Sequence, residues 1–178
     1  MRTTIFALSL LLLTGCGAAM HAHDSAAQSC AVDIPAGWRQ IPTNRYFMLT
    51  REGPFYQYAL VQRRPVDRPF QHTKKRLKPD MLPQEAAEVL ADEMLSDENL
   101  HSLQIIENEP AQVKGSQAFK LLFTYADPEG RTYKTVYYGF LQGGYYYSLR
   151  FTAAGNEYFQ RDINTFNAML QSFRIVQQ

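Results

Sequence analysis

Cysteine, histidine, arginine, lysine and tyrosine are the side chains through which this sequence could do chemistry. The two cysteines are Cys16 and Cys30. Cys30 together with His72 or His101 has the composition of a nucleophile and its base, but it stands at the edge of a segment rich in Ala, Ser, His and Gln that would position it poorly. Three other states are open to it: a buried thiol, a surface thiol or a link to a second chain. His21, His23 and Asp24 carry ligand-type groups close together, on a stretch without the supporting partners that hold a metal site in shape. His72 and His101 have no Cys or His at ligand spacing. A G-x-S-x-G elbow, a Walker loop and a dinucleotide glycine pattern are all missing. The expectation is therefore no enzyme, no cofactor and no metal.

Charge offers a different kind of site. Arg63, Arg64, Arg68, Lys74, Lys75, Arg76 and Lys78 are interrupted by one acid, Asp67, and by Pro65 and Pro69, which oppose regular structure. Asp80, Glu85, Glu88, Asp92, Glu93, Asp97 and Glu98 then follow with no base among them. On one reading the basic loop and the acidic stretch face solvent and partly neutralise each other. On the other, the seven basic residues meet an anionic surface or an acidic partner, each adding about 1 kcal/mol near a charged membrane. Tyr137, Tyr138, Tyr145, Tyr146 and Tyr147 could line a ligand groove, but aromatic ladders are common in antiparallel sheets, and sheet packing is the simpler account.

Residues 1–15 read as a signal peptide, with Arg2 ahead of an apolar run from Ile5 to Leu13 that is too short to span a bilayer. Leu13-Thr14-Gly15-Cys16 resembles the bacterial lipobox. That resemblance implies cleavage before Cys16 and acylation of its sulfur and amino group, a firm anchor at about 0.8 kcal/mol per buried methylene. Gly17 after the cysteine implies the outer membrane in a Gram-negative host. Residues 16–31 form the lipidated end and a flexible tether, with too little apolar content to bury a core. Residues 32–178 form one domain, long enough for a real core. Arg2 leaves with the signal, so the remaining chain is balanced in charge, and no field draws it to nucleic acid.

The elements that must position these residues follow from periodicity. Phe119, Leu121, Phe123 and Tyr125 alternate with Ala118, Lys120, Leu122 and Thr124, which is strand spacing. Asp127-Pro128-Glu129-Gly130 has the order of a type I turn, and Gly143-Gly144 supplies the positive φ of a tight hairpin. Three antiparallel strands over 117–153 result, the last alternating Tyr145, Tyr147, Leu149 and Phe151 with Tyr146, Ser148, Arg150 and Thr152. Ahead of them, Phe47–Thr50 and Phe55–Arg63 form an opening hairpin, an acidic amphipathic helix runs over 83–95 from Pro83, and Leu103–Glu109 adds a strand. After them, Phe159, Ile163, Phe166 and Leu170 mark a helix that covers one face of the sheet. The fold class is α+β, an antiparallel β-sheet covered by helices.

Ile34-Pro35-Ala36-Gly37-Trp38, the meander, Tyr145-Tyr146-Tyr147-Ser148-Leu149-Arg150-Phe151 and Met169-Leu170-Gln171-Ser172-Phe173-Arg174 together resemble the PsbP-like family. That family shares an α/β/α sandwich with the Mog-type Ran-binding proteins and with bacterial lipoproteins of unassigned role. The resemblance spans about residues 32–176 and rests on structural motifs. It implies an accessory or binding protein, without a manganese-supporting site to carry over. The expectation is a lipid-anchored envelope protein facing the periplasm, binding an envelope partner through a non-catalytic module. The alternative is a carrier of a small apolar ligand or lipid.

Overall fold

A computed structural model describes residues 21–25, 30–43 and 46–176. Cys16 and the signal segment lie outside the described residues. Among the described residues, ten strands and two helices follow in chain order: β1 (His21–Ser25), β2 (Cys30–Ile34), β3 (Arg39–Ile41), β4 (Phe47–Thr50), β5 (Gln57–Pro65), α1 (Pro83–Leu95), β6 (His101–Val113), β7 (Ser116–Ala126), β8 (Thr132–Gln142), β9 (Tyr145–Ala154), α2 (Gly155–Ser172) and β10 (Arg174–Ile175).

The meander is built as its spacing predicts. Gly143 and Gly144 take φ of +59° and +77°, which closes the β8–β9 hairpin with Gln142 opposite Tyr145. Asp127 secures the other turn: its carbonyl accepts the Gly130 N–H at 2.9 Å, and its carboxylate accepts from Arg131. The opening hairpin joins the meander through β5, which pairs antiparallel with β9 along its whole length. The resulting seven-stranded sheet has the order β3-β4-β5-β9-β8-β7-β6. A second, small sheet of β1, β2 and β10 ties the chain's start to its end. Burial begins at Cys30, two residues ahead of the expected boundary at 32, because β2 packs Cys30, Ala31 and Val32 inward.

Strand alternation divides the core in two. Phe119, Leu121 and Phe123 of β7 pack with Ala86, Ala87, Leu90 and Met94 of α1. Leu149 and Phe151 of β9 pack with Phe159, Phe166, Met169 and Leu170 of α2, joined by Trp38, whose ring lies 6.2 Å from that of Phe151. The fold is thus α+β with one helix on each face, and it is mostly sheet. The covering is less complete than the expected sandwich, because α1 packs mainly on β6, β7 and β8. Beyond its edge the loop between β5 and α1 stands in for a helix, with Val66, Phe70 and Leu77 buried beneath it.

Behind α2 sits a knot of charge. Asp162 has no solvent exposure, and its carboxylate accepts from Arg51 Nη1 at 3.1 Å, Gln57 Nε2 at 3.2 Å and Arg161 Nη2 at 2.9 Å. Arg161 also reaches Glu52 at 3.0 Å. A buried carboxylate with this many donors has its desolvation offset. The knot pins α2 to the β4–β5 turn.

Candidate functional site

On the α1 face, where the helix stops short of β5, a cleft of about 420 Å³ opens over the sheet. Period-two alternation supplies its floor: Tyr58, Leu60, Gln62 and Arg64 from β5, Tyr146, Ser148, Arg150 and Thr152 from β9, Thr135 and Tyr137 from β8, and Phe123 and Tyr125 from β7. Cross-strand register brings Tyr58 opposite Thr152, Leu60 opposite Arg150, Gln62 opposite Ser148 and Arg64 opposite Tyr146. The walls come from α1 and the loop, with Leu90, Glu93, Met94 and Phe70 among them.

The floor is a polar network in an aromatic frame. The Tyr137 and Tyr146 hydroxyls are 2.8 Å apart, and those of Thr135 and Thr152 are 2.9 Å apart. Gly139 makes the first pair possible: a Cβ there would stand 2.4 Å from the Phe119 ring and 2.6 Å from the Tyr146 hydroxyl. Burial pushes the Tyr137 and Tyr146 phenols up, so both remain neutral hydrogen-bonding groups. At Tyr58 burial works in the same direction, but the Arg150 guanidinium and hydrogen bonds with Thr152 and Tyr125 overcome it and hold the phenol below its ordinary value. Tyr125 keeps its proton, raised by burial and by its neighbour Tyr58.

Two guanidiniums face this cleft. Arg150 lies 5.6 Å from the Tyr58 ring centre, and Arg64 lies 4.2 Å from that of Phe70. The Nε of each is shut off from solvent and has no hydrogen-bond partner. Among the described residues, neither guanidinium is within ion-pair distance of a carboxylate. Burial lowers the pKa of Arg64, yet arginine starts so high that both side chains stay cationic at neutral pH.

The acids that line the cleft, Glu93 and Asp97, bond to the loop, and Glu93 also acts on Arg64 through space. The Glu93 carboxylate accepts the backbone N–H of Gln71 at 2.8 Å, of His72 at 2.9 Å and of Thr73 at 2.9 Å, and also the Thr73 hydroxyl at 2.9 Å. Burial opposes the charge on Glu93, and the Thr73, His72 and Gln71 donors outweigh it and hold the carboxyl below the usual range. Asp97 lies 3.6 Å from His72. This arrangement straps the loop to α1 and gives the cleft its wall.

The basic block of the sequence is spread out. Arg63 and Arg64 are neighbours on β5 and so point to opposite faces, Arg63 over the Tyr145 ring at 4.4 Å and Arg64 into the cleft. Arg68, Lys74, Lys75, Arg76 and Lys78 are exposed on the loop. Lys75 pairs with Asp92 of α1, and Lys74 donates to the Gln71 carbonyl at 2.7 Å. Basic loop and acidic helix therefore meet, in part, as mutual neutralisation predicts. Cys30 packs in the core on the α2 side, whereas His72 lines the cleft on the other side and His101 is exposed on β6, so the nucleophile–base pairing does not form. The tyrosines divide likewise: Tyr137 and Tyr146 enter the cleft, and Tyr138, Tyr145 and Tyr147 pack toward α2. Arg150, Tyr58 and Ser148 were not singled out by sequence, although Arg150 is the one charged residue in the third strand of the meander.

No family model matches this sequence, and no curated protein is similar to it. Solved structures are similar in fold. The solution structure of cyanobacterial PsbP (CyanoP) from Synechocystis has a TM-score of 0.62 at 11% identity, covering 93% of this chain and 98% of that one. The Ran-binding protein Mog1p of Saccharomyces cerevisiae has a TM-score of 0.56 at 8% identity, covering 89% and 97%. LpqN of Mycobacterium tuberculosis, described as involved in cell envelope biogenesis, has a TM-score of 0.54 at 17% identity, covering 83% of each chain. Sheet order, paired helices and these three likenesses agree that the chain has the fold of the PsbP- and Mog-type proteins.

Proposed function

We propose that this protein is a non-catalytic binding module of the bacterial cell envelope, held at the membrane through acylated Cys16, and that its binding site is the cleft on the α1 face. One observation carries the reading: the cleft floor holds two guanidiniums, Arg64 and Arg150, neither within ion-pair distance of a carboxylate among the described residues. A folded chain that keeps cations in such a place gains when a ligand supplies the missing partner. The fold is compatible with this role, since the neighbours include a Ran-binding protein and a protein involved in envelope biogenesis. The anchor reading rests on Leu13-Thr14-Gly15-Cys16 after an apolar run.

A carrier of a purely apolar molecule between sheet and α2 is disfavoured, because Phe159, Phe166, Met169 and Phe173 already fill that space. The test is photo-crosslinking in intact cells from the full-length protein, with the reactive residue at Leu100 on the cleft rim or at exposed Glu157 on α2. A discrete adduct formed only from Leu100 is the expected result. The same background of abundant envelope components from both positions would refute the reading. Cys16→Ser should separately yield an unprocessed, unacylated precursor, and normal acyl labelling of that variant would refute the anchor.

A further inference from the structure

We propose that the cleft binds an organic oxyanion, a carboxylate or phosphate group carried on an aromatic or aliphatic body, with Arg150 meeting the acid group and Arg64 adding positive charge to the same cleft. This rests on reading the cleft as the binding site and adds the chemical class of what enters it. The argument begins with donors. A guanidinium is suited to charge-assisted hydrogen bonds with a carboxylate or phosphate; Arg64 spends Nη2 on the Arg68 carbonyl, whereas no side-chain hydrogen bond of this kind engages Arg150 among the described residues. A neutral ligand could accept those bonds but would leave two positive charges unanswered in a space walled by side chains.

The second step is size. A space of about 420 Å³ falls within the roughly 300–1,000 Å³ of small-molecule sites. At about 30 Å³ per water it far exceeds what a bare inorganic anion fills. Phe70, Leu90 and Met94 make part of the wall apolar and aromatic, and Phe123 adds an aromatic ring to the floor. That combination suits a ligand with an acid group at one end and a hydrophobic or planar body at the other. Ser148 and Thr152 flank Arg150 on the same face of β9 and add polar groups beside it.

Such a ligand could be a soluble metabolite or the headgroup region of a lipid, and one titration series separates the two. The full-length protein, purified in detergent, is titrated by calorimetry with phenyl phosphate, phenol, inorganic phosphate and dihexanoyl phosphatidic acid. Phenyl phosphate or the short-chain lipid should bind at least tenfold more tightly than phenol and inorganic phosphate, and Arg150→Gln should weaken that binding at least tenfold. Arg64→Gln, at a partly exposed position that threatens folding less, should weaken it severalfold. Tighter binding of the lipid supports the proposal with a membrane source; tighter binding of phenyl phosphate supports it with a soluble one. Equal binding of phenol and phenyl phosphate would overturn the anion assignment while leaving the cleft a binding site. Binding of no probe by the folded protein would also overturn it, and the crosslinking result then decides the cleft's role independently.

Discussion

Buried charge meets this sheet in two places, and the two are built in opposite ways. Behind α2, Asp162 is surrounded by the guanidiniums of Arg51 and Arg161 and by the Gln57 amide. In the α1-face cleft, Arg64 and Arg150 have no carboxylate within ion-pair distance among the described residues. In the first the charge is answered within the chain, although Gln57 Oε1 has no hydrogen-bond partner, and the arrangement holds a helix to a turn. The second is incomplete, and an incomplete charge in a recess costs stability until something enters to complete it. What distinguishes a site from a strut here is whether the charge has been answered within the chain.

The largest break in that comparison should come at the answered end. Asp162→Ala strands Gln57 and two arginines, and should lower stability by about 3 kcal/mol, at the low end for a broken buried pair because Arg51 and Arg161 can turn to solvent. Urea denaturation of the full-length protein measures it. Glu93→Ala removes the acceptor of three backbone N–H groups and should cost about 2 kcal/mol. It should also loosen the cleft wall, seen as faster amide exchange at Gln71, His72 and Thr73. The sign of the pH effect follows from the depressed Glu93 carboxyl. Its contribution is complete above the ordinary glutamate value of about 4.3 and is lost as pH falls through the lower folded value. The shifts of those three amides should move together in acid below about pH 4.

Gly139→Ala is a smaller break with a sharper meaning. Its methyl group would collide with the Phe119 ring and the Tyr146 hydroxyl, for a cost of about 1–2 kcal/mol in overpacking. Because Tyr146 must then leave Tyr137, binding of phenyl phosphate should weaken more than stability alone explains. Calorimetry of the variant at a temperature where it is fully folded separates the two effects.

Much of the fold was legible because it is local. The bounds of α1 follow from Pro83 and the apolar spacing after it, and the meander follows from alternation between two readable turns. The cleft was not legible because it depends on pairing between distant segments. Tyr58, Leu60, Gln62 and Arg64 become a floor only when β5 lies beside β9, and sequence spacing within either strand does not reveal that register. The basic block reads differently along the chain and in space. Adjacent arginines read as one patch along the chain, whereas a strand sends Arg63 and Arg64 to opposite faces. The signal that could have found the site was Arg150, a single charge on the alternating face Tyr146, Ser148, Arg150 and Thr152 of a strand otherwise crowded with aromatic and apolar residues.

The most direct test of the contrast is the stability of Arg150→Met, measured by urea denaturation with and without phenyl phosphate. Methionine keeps most of the arginine's length and removes its charge. If Arg150 is an unanswered charge kept for a ligand, the ligand-free variant should be as stable as the native protein or up to about 2 kcal/mol more stable. Phenyl phosphate should then stabilise the native protein and leave the variant unchanged. A ligand-free variant that loses about 3 kcal/mol, as Asp162→Ala is expected to do, would contradict the account and make Arg150 a structural residue whose partner is already in the chain.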